Sequence, residues 1–387
     1  MKIKTFISLL VIALLPVFAV WIPFALNLHT FWGLPIPTDG MQTVISNFDG
    51  PLYIVVAKSL YNLPYIAQNY ALDLPLEYYA AHFPLFPLLI RVFAILSGFP
   101  WGMMFATLFS SILTIFFFFK NARKLLNVQQ ALTLTLMFSF FPARWLIVRS
   151  VGSPEPLFVA AILGTLYYFN EKKYWYAAFW GIVAQLTKSP GILLFIALSI
   201  TAAANELSKL ASSKQSIRKW IAKINLRPLP LLLIPVSLAG LFVVYASPNT
   251  FGNFFAYFNS GDNIHLFFPP FQIFNYTQPW VNTFWLEDVL FVYAIILIGI
   301  TKLIKEKQTT WAVFVITFFT TIIFVSHRDI LRYSLPVFPF IFLAFAKELQ
   351  RKEAKIIFLL LAIPTFLYTL SFIAGNVMPI ANWAPYL

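Results

Sequence analysis

Five short clusters hold the residues of this chain whose types and spacing could do chemistry: SNFDGPLY (46–53), AAHFPLFPLLIR (80–91), RSVGSPEPLF (149–158), LTKSPG (186–191) and SHRDILRYSLPVFP (326–339). Asp49 precedes Gly50 and Pro51, and Leu52, Val55, Val56, Ser59 and Leu60 then recur at helical spacing. The carboxylate therefore stands at the N-terminal end of a helix expected at the membrane interface. It can cap that helix, or act as a general base on a substrate hydroxyl, and the two roles are compatible. Glu155 opens an apolar run, where the helix dipole favours an acid; it is either a cap or the second acid of a site. Lys188, ahead of Ser189, Pro190 and Gly191, is a snorkelling lysine or a phosphate-facing cation. Arg328 and Arg332 are four apart with Asp329 between them, which fits an ion-paired loop or two guanidinium forks for a phosphate.

The remaining chemistry is narrow. All four histidines (His29, His82, His265, His327) are scattered without H-x-x-x-H spacing, so no metal ligand is assigned and a divalent cation stays open. There is no cysteine, no glycine-rich phosphate loop and no hydrolase nucleophile pattern.

The elements that must position these clusters follow from composition. Of 387 residues 60% are hydrophobic and 11% charged, against roughly a quarter charged in soluble domains, so the chain is an integral membrane protein. The net charge of +13 does not indicate nucleic-acid binding, because the basic residues form short runs between apolar stretches. About 20 apolar residues cross about 30 Å of hydrocarbon. Spans near 6–26, 101–119, 129–147, 155–170, 174–188, 190–206, 228–246, 286–301, 310–325, 333–346 and 356–374 give eleven crossings. With MKIK cytoplasmic, 20 of the 27 Lys/Arg fall inside, leaving +15 on the inner face and −2 on the outer. Lys58, Arg91, Arg144, Arg149, Lys188, Arg328 and Arg332 are the outer cations, and all five clusters reach that same face. The first run reads as a retained anchor. The stretch 83–98, interrupted by Pro84, Pro87 and Arg91, reads as an interfacial or re-entrant helix. The chain is thus expected to be one all-α polytopic domain, 1–387. It has a first outer loop at 27–100, a second at 247–285 and a basic cytoplasmic loop at 207–227.

In order and spacing the clusters resemble the PIG-V family, of the GPI mannosyltransferase 2 type, within the GT-C membrane glycosyltransferases. Asn47-Phe48-Asp49 with Tyr53 and Ala57 resembles that family's Arg-Trp-Asp segment with its following aromatic and Ile-Ala. AHFPLFPLLIR resembles its Phe-Phe-Pro-x-x-Pro-Leu, SPEPLF its Ser-Glu-x-Leu-Phe and KSPG its Arg-Ser-Asn-Gly. SHRDILRYSLPVFP is similar to a His-x-x-x-Arg-Tyr-x-x-Pro region. The chain departs at Asn47, Phe48, Lys188 and Pro190. The resemblance implies a GT-C-like fold and transfer of a sugar, mannose in the first instance, from a polyprenyl-phosphate donor to a glycolipid, glycan or protein hydroxyl on the outer face.

On that reading Asp49 is the base. Arg332, Lys188 and Arg328 meet the departing phosphate, Arg91 and Arg149 assist, and Glu155 orients the acceptor or a cation. Tyr53, His82, His327 and Tyr333 line the substrate site. In-line displacement inverts the anomeric centre. Short loops and the lack of a retention signal point to a prokaryotic plasma membrane. A flippase of lipid-linked sugars and a non-catalytic membrane subunit are the rivals. The flippase predicts polar groups at mid-bilayer depth, for which Gln185 speaks.

Overall fold

A computed structural model describes residues 2–70, 74–212, 225–275, 277 and 285–387. In chain order these form α1 (Ile3–Ala25), a hairpin of β1 (Thr30–Phe31) and β2 (Leu34–Pro35), α2 (Met41–Ile45), α3 (Gly50–Ser59), α4 (Leu63–Asn69) and α5 (Leu85–Ala122). There follow α6 (Val128–Phe140), α7 (Ala143–Ser150), α8 (Glu155–Asn170), α9 (Tyr174–Thr187), α10 (Ile192–Ser212) and α11 (Leu233–Tyr245). The last elements are α12 (Trp285–Lys305), α13 (Thr309–Ile322), α14 (Ile330–Ser334), α15 (Phe338–Ala344) and α16 (Lys352–Gly375). The fold is all-α and polytopic, and each of the eleven expected spans is helical over at least part of its length. Much of the basic loop (213–224) and parts of the two outer loops (71–73, 276 and 278–284) lie outside the described residues.

The helices differ from a set of straight crossings, and proline accounts for two of the differences. Among the described residues four are long and apolar enough to span a membrane, namely Ile3–Ala25, Leu85–Ala122, Ser189–Ala211 and Lys352–Gly375. The expected 129–147 span is instead α6 and α7, bent by 77°. Pro142 lacks the N–H that would continue the ladder, and Phe141 before it is driven into extended backbone (φ −121°, ψ 146°). The expected 333–346 span holds two short helices, α14 and α15, around Pro336 and Pro339.

The 83–98 stretch is a separate helical limb, as its composition requires. The chain breaks at Gly98, whose φ of 72° suits glycine, and folds back so tightly that a Cβ on Gly102 would lie 2.7 Å from the Ala94 nitrogen. The first limb of α5 thus returns across the second and supports the outer loop. Within that loop α3 is buried from Gly50 to Ala57, so it is enclosed by protein on every side. Its close approach to α5 and to the chain ahead of α8 depends on Gly50, where a Cβ would meet Met103 Sδ and the Gly152 carbonyl at 3.1 Å.

Charge separates along the bundle. Each ion pair among the described residues joins two groups expected on the same face. Lys124 meets Glu171, and Lys302 and Lys347 gather Glu306 and Glu348, at the basic end. Asp49, Glu155, Lys188, Arg332, Arg144 and Asp329 meet at the other.

Candidate active site

Residues 46–49 form a tight turn before α3. Met378 N donates to the Ser46 carbonyl at 2.8 Å, and buried Asn47 donates from Nδ2 to the Ile373 carbonyl at 2.7 Å, so the end of α16 fixes the turn. Phe48 then takes a left-handed φ of 49°, uncommon for an aromatic residue, and its ring lies 4.4 Å beneath the Arg332 guanidinium and 5.4 Å from Phe372. This reversal presents Asp49. The residue occupies the N-cap position of α3, yet its side chain makes no capping bond and turns to Arg332 instead. The capping alternative is thereby set aside for the carboxylate.

A continuous chain of charge follows. Arg332 Nη2 lies 3.1 Å from Asp49 Oδ2, Arg332 Nε 2.7 Å from Glu155 Oε1, and Lys188 Nζ 2.6 Å from that same oxygen. The Ser153 hydroxyl donates to the other Glu155 oxygen. The Glu155 side chain is 4% exposed, whereas Asp49 is 39% exposed, so the chain runs from a buried acid to an open one. Two acids and two cations balance, and neither Lys188 nor Arg332 carries a surplus charge. Burial raises the Asp49 carboxyl most, but the Arg332 guanidinium, with help from His82 and Lys188, more than offsets it and holds the group below the usual carboxylate range.

Two cavities flank this chain, and Asp49, Asn263, Arg332 and Tyr333 line both. The larger, about 850 Å³, is walled by Arg144, Arg328, His265 and His327 on one side and by the end of α16 with Asn376–Pro379 on another. The smaller, about 130 Å³, reaches Tyr53, His82, Glu155, Lys188, Ser189 and Tyr257. Burial pushes His82 down to about 4, so it is neutral near pH 7; its ring packs edge-on against Tyr53, with Nδ1 3.3 Å from the Tyr78 carbonyl. His327 is likewise held near 4, by burial and by the neighbouring His265, 4.3 Å away ring to ring, and Asp329 N donates to its Nδ1. Among the described residues no three His, Cys, Asp or Glu side chains converge on a metal-sized space. The guanidinium of Arg332 fills the gap between the two acids, so this pair does not fit a divalent cation.

Asp49, Tyr53, His82, Glu155, Lys188, His327, Arg328, Arg332 and Tyr333 thus come together around the two cavities. Arg91 and Arg149 do not. Arg91 donates to the Ala57 carbonyl at 2.7 Å near the end of α3. Arg149 is fully buried, donating to the Ala13 carbonyl of α1 at 2.5 Å and to the Ser139 carbonyl of α6. Both satisfy backbone carbonyls away from the cavities. Arg328 precedes α14, so it shares no helix face with Arg332. Asp329 pairs with Arg144 at 3.0 Å rather than with either neighbouring arginine. Among the described residues Arg328 has no ion-pair partner, and it is exposed on the large cavity. Arg144, Asn263, His265 and Asn376 join the site without a distinguishing sequence signal beyond the position of Arg144 among the sparse outer cations, whereas Ser153 belongs to the SPEPLF cluster.

No family model matches the chain, and no curated protein matches it. Its fold is shared with several solved structures. One is ArnT from Cupriavidus metallidurans bound to undecaprenyl phosphate, with a TM-score of 0.56 at 14% identity over 90% of this chain and 62% of that one. Another is the Archaeoglobus fulgidus oligosaccharyltransferase in the apo form, with a TM-score of 0.54 at 14% identity over 99% of this chain and 57% of that one. The chain therefore spans about 60% of the length of these two structures. The shared fold is an all-α polytopic membrane fold.

Proposed function

We propose that this chain is a membrane glycosyltransferase that moves a sugar from a polyprenyl-phosphate-linked donor to a hydroxyl acceptor at the sparsely charged face, with inversion. The observation that carries the reading is Asp49: a carboxylate held ionised by Arg332, turned away from its own helix and open to a cavity large enough for a sugar. The fold shared with ArnT, which is bound to undecaprenyl phosphate, supports a polyprenyl-phosphate carrier. The five clusters that resemble the PIG-V family support mannose as the sugar, and a glycolipid, glycan or protein as the acceptor. The charge bias supports a cytoplasmic N-terminus and an extracytoplasmic site, and the short loops between spans support the plasma membrane of a prokaryote.

In this reaction the acceptor oxygen attacks the anomeric carbon as the bond from that carbon to the phosphate oxygen breaks. The acceptor proton passes to Asp49, and the lipid phosphate leaves with the electron pair. Because Asp49 is a weak base at rest, it takes the proton late, once attack has made the hydroxyl acidic. Arg328, open on the large cavity, meets the developing phosphate charge more readily than Lys188 or Arg332, whose charges Glu155 and Asp49 already offset.

Transfer of radiolabelled mannose from polyprenyl phosphate mannose, by membranes holding the wild type or Asp49→Asn, tests the proposal. Labelled product with the wild type alone supports it. Equal product from both removes Asp49 from the role, and no product from the wild type removes this donor. One observation favours the flippase instead: Gln185, fully buried in α9, has no hydrogen-bond partner on either amide atom among the described residues. A flippase would move labelled lipid across vesicles without forming product.

A further inference from the structure

Asp49 faces charged and titratable groups from every side: Tyr53 on its own helix, His82 after the 76–81 turn, Glu155 on α8, Lys188 after α9, and Arg332 with Tyr333 on α14. Across the large cavity stand Asp329, Arg328, Arg144, Asp288 and the His265–His327 pair. Of all these, the Arg332 guanidinium makes the ion pair with it, and that guanidinium is shared. Its Nε is nearer to Glu155 than its Nη2 is to Asp49, 2.7 against 3.1 Å. Glu155 in turn is shared between Arg332 and Lys188 on a single oxygen, its other oxygen taken by Ser153.

We propose that Glu155 is a positioning residue for the reacting carboxylate: by dividing its negative charge between Lys188 and Arg332, it sets how closely Arg332 is drawn to Asp49 and hence how readily Asp49 accepts a proton. The inference rests on the reading of Asp49 as the base. Glu155 touches the small cavity but acts through Arg332. A cation committed wholly to Asp49 would hold the proton off; a cation withdrawn wholly to Glu155 would leave Asp49 unbound and free to rotate. The buried acid keeps Arg332 between these limits.

Opposite signs that vanish in an Arg332→Met background are the signature of a shared cation, because the direct fields of Glu155 and Lys188 on Asp49 carry the same signs and would persist there. In Glu155→Gln the whole Arg332 charge falls to Asp49, and the Asp49 titration moves to lower pH. In Lys188→Met, Glu155 leans harder on Arg332, and the Asp49 titration moves to higher pH. A purely structural role predicts something else: loosening the site in either variant admits water, weakens the Arg332 contact and moves both titrations upward.

The experiment labels the purified full chain in detergent with a water-soluble carbodiimide and an amine, across pH, and quantifies modification of Asp49 by peptide mass spectrometry. A fall in the Glu155→Gln midpoint together with a rise for Lys188→Met, both lost when Arg332→Met is added, supports the proposal; shifts of the same sign, no shifts, or shifts that persist without Arg332 overturn it. Ser153→Ala, which removes one hydrogen bond from Glu155 and no charge, serves if Glu155→Gln does not fold. Freed from Ser153, Glu155 presents more charge to its cations, so the Asp49 midpoint should rise, and an unmoved midpoint counts against the proposal. The labelling needs no donor or acceptor, so it decides this inference even where the transfer assay fails. Where transfer is measured, the acid limb of the rate profile should follow the labelling midpoints, with turnover in Glu155→Gln reduced on the order of 100-fold by misplacement of the base.

Discussion

The two charged ends of the bundle use nearly the same geometry for different purposes. At the basic end Lys302 lies 2.6 Å from Glu348 and 3.6 Å from Glu306, a cation between two acids. At the site end Glu155 lies 2.6 Å from Lys188 and 2.7 Å from Arg332, an acid between two cations. Water separates the cases. Glu306 and Glu348 are each 39% exposed, so screening leaves their pairs weak. Glu155 is 4% exposed, and its charge is tolerable only because every oxygen is matched. Distance alone therefore does not rank these contacts; what each group loses when its partner goes does.

The largest effect expected is on turnover. Asp49→Asn keeps the shape and the Phe48 turn but cannot take a proton, and transfer should fall by about 100- to 10,000-fold while the protein still inserts. Arg332→Met should come next and differ in kind. It strands Glu155 and Asp49 together, and breaking a buried pair costs about 3–5 kcal/mol. Thermal unfolding in detergent should show that loss, with Arg332→Lys intermediate because an ammonium cannot fork to both acids. A thermal midpoint for Arg332→Met equal to that of the wild type would show that the site end is as loosely held as the basic end.

A smaller effect comes from pH. His82 and His327 are each held near 4 in the folded protein against an ordinary 6.5. Between those values the unfolded chain binds protons that the folded one refuses, so stability rises with pH through about 4 to 6.5 and falls as acid is added. Each histidine contributes a slope of up to about 1.4 kcal/mol per pH unit in that window. Replacing His82 with Gln should remove one of the two equal contributions and lower the slope across that whole window, and an unchanged curve would mean that the ring is wet.

Part of this architecture was legible in the residues. Hydropathy and basic loops located the eleven helical regions and kept the two sets of charges apart, because the cost of dehydrating charge acts on every residue independently. Proline and glycine punctuation marked where helices stop: Gly98 does divide 83–98 from the following run. The 77° bend at Pro142 was missed because a proline within an apolar run is also common in straight spans. The clusters did bring Asp49, Glu155, Lys188 and Arg332 to one place, but not their partnership. Which arginine serves which acid depends on side-chain reach across four elements distant in sequence. Arg149 illustrates the limit, since an outer cation by position proves to be a buried donor to two carbonyls. Burial of α3 is equally a tertiary fact, set by the fold-back of α5 and the approach at Gly50.

The smallest effect should come from Lys302→Ala, and its smallness is informative. Lys302 makes a 2.6 Å contact to Glu348, as short as the Lys188 contact to Glu155, so a count of ion pairs would treat the two alike. Once Lys302 is gone, Glu348 and Glu306 are left facing water, which solvates them at little cost, and Lys347 remains 3.7 Å from Glu306. Lys188→Ala leaves Glu155 in a protein interior with one cation fewer. Transfer by Lys302→Ala should stay within about twofold of wild type and its thermal midpoint should hardly move, whereas Lys188→Ala should lower both. High salt should abolish whatever difference Lys302→Ala does show and leave the Lys188→Ala deficit in place, because mobile ions reach the one pair and not the other. Equal, salt-sensitive losses in the two variants would place Glu155 in contact with bulk solvent, and with that the distinction between the two ends would fail.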